Sequence, residues 1–555
     1  MRISDLLVRF LDDTITQAVA DGKLPKFGDV AVTVERPRNE QHGDFACGVA
    51  FPLARAMHKA PLEIAEAIVE LAEMPPFLSR MEAVKPGFIN CTIAPEWLRD
   101  NVTTIEELGS RYGGSSLGSG KRVQVEFVSS NPNGPIHIGH ARGAVIGSTL
   151  ANLLAKGGYE VQREFYLNDG GSQMVSFGRA LYARTMELMG TETSVSSTEY
   201  AGEYLDRAAE AAREGIGAEL VQLGEKEAVN RAAQFGLEHC VALIKATLES
   251  ISVDFDDWFS ERSLIESGAL KQTLDWLEEK GYIAHADGAV WFRTTKFGAE
   301  HDDVLIRSGG SGHTYFATDT AYHYDKLGKR KFDLAINVWG GDHHSHVIRL
   351  KHALEALGCD PEKLVVMIAQ MVHLKEDEAS VKMSKRAGNV VTADELVGSV
   401  GADAMRYMFL SRTPSSQMAF DVGLAKKRSS DNPVFYVQYA HARLCSIVRL
   451  AEEQGLDHKG ADLSLLEHPS EMEFLRALAR FPDTIHSSVE QLEVHHLPYY
   501  AYELARMVQQ FYESCRVVDD AEPRLSAARL RMVHAARTVL SEVLRVMGMT
   551  APERM

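Results

Sequence analysis

The chain lacks the marks of several protein classes. It has no C-x-x-C pair: its six cysteines, Cys47, Cys91, Cys240, Cys359, Cys445 and Cys515, lie far apart. Zinc knuckles and disulfide frameworks need paired cysteines, so no structural metal is expected and the thiols read as reduced and buried. No apolar run approaches the roughly 20 residues of a membrane-spanning helix. The start, Met1-Arg2-Ile3-Ser4-Asp5, leads into an amphipathic pattern carrying Asp12 and Asp13, unlike a secretory signal. A cytoplasmic location without a membrane partner is the expectation. Positive charge is in deficit. With 59 Lys and Arg against 77 Asp and Glu, the formal charge is −18. That speaks against non-specific nucleic-acid binding, yet leaves room for a local basic surface. There is no internal repeat, and no low-complexity tract beyond one Gly/Ser stretch.

What is present divides into pieces. A chain of 555 residues is too long for one core, so about three domains are expected. Residues 1–107 read as a small α/β or α+β domain: Ile3, Leu6, Leu7, Phe10, Leu11 and Ile15 recur at helical spacing, and Val30–Val34 and Phe88–Ile93 are strand-like. Residues 108–120 are rich in Gly and Ser and read as a flexible linker. Residues 121–390 read as a Rossmann-like domain built on a parallel sheet. It starts with a strand–loop–helix–strand unit: Val123–Val128, then Ala141–Lys156, then Tyr159–Leu167. A helical, charged insertion is expected at about 175–300, after which strand-like runs resume at Leu334–Val338 and Leu364–Ile368. Residues 391–430 form a connecting stem, and 431–555 read as all helix, with Val533, Ala536, Leu540, Val543 and Met547 on one face. The predicted class is α/β: a Rossmann-like parallel-sheet domain with an insertion, flanked by a small N-terminal domain and an all-α C-terminal domain.

Two short motifs carry the clearest chemistry. His137-Ile138-Gly139-His140 lies between the first strand of that unit and its helix. Helix N-termini attract anions through unpaired N–H groups and the dipole, glycine lets the backbone come close to a ligand, and imidazoles can donate to phosphate oxygens. Lys382-Met383-Ser384-Lys385-Arg386 follows a later strand and a loop containing Glu376, Asp377 and Glu378. Alone it reads as a solvated loop. With the first motif it reads as a second cationic clamp on the phosphates of one ATP, acting by positioning and charge stabilisation.

Other groups admit more than one reading. Gly340-Gly341-Asp342-His343-His344-Ser345-His346 could hold a metal, but it fits a ligand-facing loop better. Glu126, Asp319 and Asp342 lie near the same sheet edge, and Tyr315 stands four residues before Asp319. A carboxylate beside a phenol suits a guanidinium or amine ligand; N-capping or a surface ion pair explains the same residues equally well. Tyr436 and Tyr439 share a helix face and fit either core packing or stacking on unpaired RNA bases.

With these residues assembled, the chain resembles the arginyl-tRNA synthetases of bacteria, class I aminoacyl-tRNA synthetases, over nearly its whole length. The resemblance rests on the two motifs and on four further strings: Val125-Glu126-Phe127-Val128-Ser129-Ser130-Asn131-Pro132, Thr314-Tyr315 with Asp319 and Ala321-Tyr322-His323, Asn432 to Arg443, and Ala551-Pro552-Glu553-Arg554-Met555. It implies that His137, Gly139 and His140 bind ATP, with Lys382, Met383, Ser384 and Lys385 on its phosphates. Ser129 and Asn131 would meet the amino-acid backbone. Tyr315 and Asp319 would hold the guanidinium, with Glu126 and Asp342 beside them. Tyr436, Tyr439 and Met555 would face the anticodon loop, and Phe88 and Asn90 a D-loop base. One departure is informative. Family members with a degenerate second motif carry a compensating lysine shortly before the first; here Asn133-Gly134-Pro135-Ile136 has none and Lys382–Lys385 is intact.

The implied reaction activates arginine with ATP, accompanied by Mg²⁺, and transfers it to the terminal ribose of tRNA(Arg). Bound tRNA would be required for activation, and a monomer is expected. Two alternatives are another nucleotidylyltransferase using the first motif, and a non-catalytic RNA-binding paralogue.

Overall fold

The computed structural model describes all residues except 1, 27, 29, 38, 171, 196–199, 201, 311, 342–343 and 376–390. The helical spacing at the start of the chain becomes α1 (Ile3–Ala20), with Ile3, Leu7, Leu11 and Ile15 on its buried face. It packs on an antiparallel sheet whose order is β1 (Val34–Glu35), β2 (Phe45–Cys47), β4 (Phe88–Ile93), β3 (Leu78–Val84). Helices α2 (Ala50–Met57) and α3 (Pro61–Leu71) precede β3, and α4 (Pro95–Leu108) follows β4. Of the run Val30–Val34 only Val34 is in a strand.

The Gly/Ser stretch is not a free joint. Tyr112 is buried, its hydroxyl accepts from the Asn101 amide at 2.9 Å and donates to the Leu478 carbonyl at 3.2 Å, and its ring stacks near Phe481. A Cβ at Gly118 would lie 2.1 Å from the ring of Tyr159. Small residues here permit close approach rather than motion.

The central sheet is parallel throughout. Its order is β12 (Leu364–Ala369), β11 (Leu334–Gly340), β5 (Arg122–Phe127), β6 (Glu160–Leu167), β7 (Asp257–Ser260). β5 is first in the chain and lies beside β11, so strand order reverses between them. Open parallel sheets bind ligands at the carboxyl ends of strands at such a switch point. The connection from β5 to β6 is α5 (Ile138–Lys156), whose Ala141, Ala144, Val145 and Leu150 are fully buried.

The expected single insertion at 175–300 is divided in two. Helices α6 (Ser172–Leu188), α7 (Glu203–Gln222) and α8 (Glu225–Ser250) pack on one another around their own apolar cluster. The chain then returns to add β7 to the main sheet. After α9 (Glu261–Glu266) and α10 (Ala269–Glu279) comes a second excursion, an antiparallel sheet of β8 (Ile283–Ala286), β9 (Ala289–Phe292) and β10 (Asp303–Ile306). Four residues of β7 are too few to show a period amid helices.

Helix α11 (Tyr315–Tyr324) runs into a π-helical turn at Asp325–Lys329 and leads to β11. Beyond β11 come α12 (His344–Ala356), β12 and β13 (Val372–Leu374); beyond residue 390 come α13 (Ala393–Val400), α14 (Ala402–Leu410), β14 (Met418–Phe420), which pairs with β13, and α15 (Val422–Lys426). The final part is helical as expected: α16 (Pro433–Glu453), α17 (Pro469–Ala479), α18 (Phe481–Gln491), α19 (His496–Ser514) and α20 (Pro523–Val546). Val533, Ala536, Leu540, Val543 and Met547 are all completely buried. No described helix is long and apolar enough to cross a membrane.

Candidate active site and RNA-facing surface

One end of the crevice is the start of α5. His137 occupies the cap position, and its Nδ1 accepts the Gly139 N–H at 3.1 Å. A Cβ at Gly139 would sit 3.1 Å from that ring, so glycine is what lets the imidazole fold over the helix end. Burial lowers the His137 pKa and keeps the ring neutral. A neutral imidazole has one N–H; with Nδ1 accepting, the proton is assigned to Nε2. His140 lies one turn on, its ring stacked on that of His137 at 3.8 Å.

The helix end is less open than the sequence suggests. The Ile138 N–H donates to the Val391 carbonyl at 3.1 Å, and the Ala393 N–H donates to the Ile136 carbonyl at 2.8 Å. Together with a bridge between His137 and Thr392, this lays residues 391–393 directly along the first motif. The Ile138 and Gly139 N–H groups at the start of α5 are therefore engaged, which narrows the open anion-attracting positions at this helix end. The same contacts place the chain on leaving residue 390 against His137. The second motif itself, Lys382, Met383, Ser384 and Lys385, lies outside the described residues, as do Asp342 and His343.

The turn after β5 is strained. Val128 and Ser129 have φ of 69° and 39°, conformations that cost about 1–3 kcal/mol each for non-glycine residues. What holds them is the Ser129 hydroxyl, which donates to Glu126 at 3.0 Å and accepts the Tyr166 N–H at 3.1 Å. Asn131 accepts from the Asn168 amide at 2.8 Å. Ser129 thus joins the ends of β5 and β6 from within, which positions the turn between them.

Glu126 belongs to a buried polar network. It is 3 % exposed and paired with Lys326 at 2.5 Å. The Lys326 ammonium, itself fully buried, also donates to Asn337 Oδ1 at 3.0 Å. Asn337 is the strand partner of Glu126 on β11, and its amide donates to His323 Nε2 at 2.7 Å, while His323 Nδ1 donates to the Asp319 carbonyl at 2.8 Å. Glu126 is thus charge-balanced before any guanidinium arrives, and it acts as part of the frame. A second pair lies below: Glu164 accepts from Arg330, from Tyr322 at 2.6 Å and from Gln124 at 2.6 Å. Burial works to raise the Glu164 pKa, but Arg330 and Lys326 outweigh it and hold the carboxyl below its usual range.

The other end gathers acids around Asp319. Tyr315, half exposed, and Asp319 share one face of α11, which Thr314 caps by accepting the Ala317 N–H at 3.3 Å. Asp319 Oδ2 accepts from His346 Nε2 at 2.7 Å, and Arg349 donates to His346 Nδ1 at 3.1 Å and to Asp303 at 3.0 Å. His346, from the Gly340–His346 string, is thereby an orienting group for Asp319. Sequence reasoning missed three further members. Glu261, at the carboxyl end of β7, is 4 % exposed; burial first, then neighbouring Asp319 and Asp169, raises its pKa. Asp169, at the end of β6, accepts from the Ser260 hydroxyl at 2.7 Å and the Arg262 N–H at 3.0 Å. Tyr166 lies within electrostatic reach of Asp319, Glu261 and Glu126, and burial pushes its phenol well up. The signal available was position alone: Tyr166 lies near the carboxyl end of β6, and Asp169 and Glu261 just beyond the ends of β6 and β7.

The helical part presents an aromatic and cationic surface. Tyr439, Tyr499, Tyr502, Tyr512 and Met555 are exposed. The Arg443 guanidinium lies 4.7 Å over the Tyr439 ring and 4.3 Å over that of Tyr512. A cleft of about 510 Å³ is lined by Tyr439, Arg443, Arg449, Tyr512, Arg554 and Met555, among others. Tyr436 packs near Tyr502, ring centroids 5.2 Å apart. In the N-terminal sheet, Phe88 is partly buried edge-on to Phe51. Asn90 points inward instead of lying on the surface: it is 4 % exposed, and its amide Nδ2 lacks a hydrogen-bond partner. Among the described residues Glu493, His495 and His496 bring three potential metal-ligand atoms within 4.8 Å. Their two imidazoles lie 4.3 Å apart, tilted by 30°, and His496 Nε2 is already hydrogen-bonded to Glu493 at 2.7 Å.

Comparison with known proteins fits this geometry. The model for class I (R) tRNA synthetase catalytic domains matches residues 102–412, the arginyl-tRNA synthetase N-terminal domain matches 9–93, and the DALR anticodon binding domain matches 437–555. The arginine–tRNA ligase of Dehalococcoides mccartyi (strain BAV1) is 44% identical over 556 residues, covering 100% of this chain and 99% of its own. That of Carboxydothermus hydrogenoformans is 44% identical, covering 97% of each. The fold matches the solved Thermus thermophilus arginyl-tRNA synthetase with a TM-score of 0.76 at 23% identity, over 99% of this chain and 100% of that one. On these matches the chain belongs to the arginyl-tRNA synthetase family of class I aminoacyl-tRNA synthetases.

Proposed function

We infer that the chain is an arginine–tRNA ligase acting in two steps. In the first, an arginine carboxylate oxygen attacks the α-phosphorus of ATP, the bond to the β-phosphate breaks, and arginyl-adenylate and pyrophosphate form. In the second, a terminal ribose hydroxyl of tRNA(Arg) attacks the adenylate carbonyl and AMP leaves. The observation that carries this reading is the pairing of opposite sites across one switch point. A neutral, donor-presenting His137 stands at one end, and carboxylates Asp319, Glu261 and Asp169 gather at the other.

His137 Nε2–H and His140 would donate to phosphate oxygens as charge builds on the α-phosphorus. By their match to the second motif, Lys382 and Lys385 would neutralise the departing pyrophosphate, with Met383 and Ser384 shaping that loop. ATP enters with Mg²⁺ as counter-ion. Asp319 would take the guanidinium, whose planar donors suit a carboxylate, with Tyr315 and the Asp342 position beside it. Lysine cannot supply that fork, and unpaired acceptors in the site would reject it. Ser129 and Asn131 would shape the turn on which the amino-acid backbone rests. Tyr436, Tyr439 and Met555 would stack on or pack against anticodon-loop bases. The unpaired Asn90 amide, beside Phe88, suits a base inserted from the tRNA corner. All these groups come from one chain, so we propose a monomer acting in the cytoplasm.

Arginine-dependent exchange of labelled pyrophosphate into ATP, with and without tRNA(Arg), tests the reading. Exchange is expected with arginine and not with lysine. Folded protein that exchanges under neither condition would instead indicate an RNA-binding paralogue.

A further inference from the structure

We propose that Arg406 is a positioning residue that makes RNA bound at the Tyr439–Met555 surface felt at the catalytic helix α5. This rests on the function proposed above. Arg406 lies on α14 and is completely buried. Its guanidinium has five N–H donors, and five acceptors surround them. Nε donates to the Met547 carbonyl at 2.7 Å. Nη1 donates to the carbonyls of Ile251 at 2.8 Å and Ser252 at 3.4 Å. Nη2 donates to the hydroxyls of Ser148 at 2.9 Å and Thr149 at 3.2 Å. No carboxylate is among them. Burying a cation is costly unless every donor is met, so this cage holds only while its three sources keep their relative places.

Those sources are distinct parts of the molecule. Ser148 and Thr149 sit on α5, about 17 Å along the helix from His137 at 1.5 Å per residue. Ile251 closes α8. Met547 closes α20, and at Gly548 a Cβ would lie 2.3 Å from the guanidinium, so the chain passes directly over it.

From there the chain reaches the RNA-facing surface through fixed contacts. The Thr550 N–H donates to Asp403 at 3.0 Å, one turn before Arg406 on α14. Gln438 of α16 donates to Asp403 at 2.7 Å and to the Thr550 carbonyl at 3.1 Å. His441 bonds the Pro552 carbonyl at 2.9 Å, Arg449 donates to the Glu553 carbonyl at 3.2 Å, and Met555 lines the cleft with Tyr439 and Arg443. A shift of residues 550–555 on RNA binding would thus reach Met547. Asn152 and Lys156 also join α5 to α20 directly, at the Val546 carbonyl (3.1 Å) and at Glu542 (3.1 Å), but the Arg406 guanidinium is the group that ties α5, α8, α14 and the end of α20 together at one point. A two-place element biased from both sites is the physical requirement for coupling.

The test is Arg406→Lys in the full chain, which keeps the charge but has three donors and no planar fork. Thermal melting checks folding, filter binding measures the tRNA dissociation constant, and pyrophosphate exchange gives kcat and KM. The expected result is a folded protein with tRNA affinity and both substrate KM values within about 3-fold of wild type, and with the tRNA-dependent rise in exchange kcat reduced at least 10-fold. Asp403→Asn leaves the cage whole but loosens the hook at Thr550; it should show the same kcat-only signature at smaller size, and it stands as the test should Arg406→Lys not fold. Equal losses in kcat and tRNA affinity, or an unchanged tRNA stimulation, would overturn the proposal. Wild-type exchange that tRNA does not alter would overturn the coupling and leave the ligase standing; wild-type protein with no exchange at all would remove the ligase.

Discussion

At the nucleotide end of the crevice, the His137 ring caps α5 by accepting from a backbone N–H two residues away. At the amino-acid end, Glu126, Lys326, Asn337, His323 and Asp319 join β5, β11 and α11 with its π-helical turn through a chain of hydrogen bonds 2.5–3.0 Å long. One end is a local device, shaped by a tetrapeptide and sealed by residues 391–393. The other is a tertiary device in which no side chain is useful until its partners arrive from elsewhere. The difference teaches which substitutions will damage chemistry and which will damage the fold.

The largest effect is expected at Lys326. Replacing it with Met strands the buried Glu126 charge, and breaking such a pair costs about 3–5 kcal/mol. Urea unfolding should show that loss, and Glu126→Gln added to it should recover at least half. A single variant as stable as wild type would mean the frame is not what holds the amino-acid end. His137→Asn should do the reverse. Asn caps helices well, so the melting temperature should hardly move, while exchange kcat falls about 10²-fold with the lost Nε2 donor. A large drop in melting temperature with near-normal kcat would erase the contrast between the two ends.

Asp319→Ala should raise the KM for arginine at least 10-fold while leaving that for ATP within about 2-fold; equal changes would refute the guanidinium contact. The smallest effect concerns pH. Burial places the His137 pKa below its ordinary 6.5. As pH falls below 6.5 the unfolded ring takes a proton and the folded ring does not, so its contribution to stability declines towards acid. Protonation also removes the Nδ1 acceptor for Gly139. The acid limb of exchange kcat should therefore have its midpoint below 6.5, and His137→Asn should lack that component.

How much of this was legible in the sequence follows the same division. The helical face Val533–Met547, the β5–α5–β6 unit and the His137–His140 motif declare themselves because each is local, with a period or a motif inside one stretch. β7 hides among helices, and Lys326 hides because the π-helical turn at Asp325–Lys329 breaks the 3.6-residue period that would have marked its buried face. Glu126 was visible as a carboxylate at a strand end, but its ion-pair partner Lys326 stands 200 residues away and no local pattern links the two. Asp319 was visible as a carboxylate four residues after Tyr315, whereas its neighbours Glu261 and Asp169 sit just beyond the ends of two strands. The Gly/Ser stretch read as a joint because composition reports backbone freedom and not the rings that pack against it.

The sequence by itself determined the family, the order of its main parts and the capped start of α5, since helix caps, periods and short motifs are set by interactions within a few residues. Tertiary structure alone decided which acids are free to meet a ligand and which are already paired, and where a cation such as Arg406 finds five acceptors. Burial and charge compensation are properties of groups brought together from distant positions, and no local pattern in a chain records them.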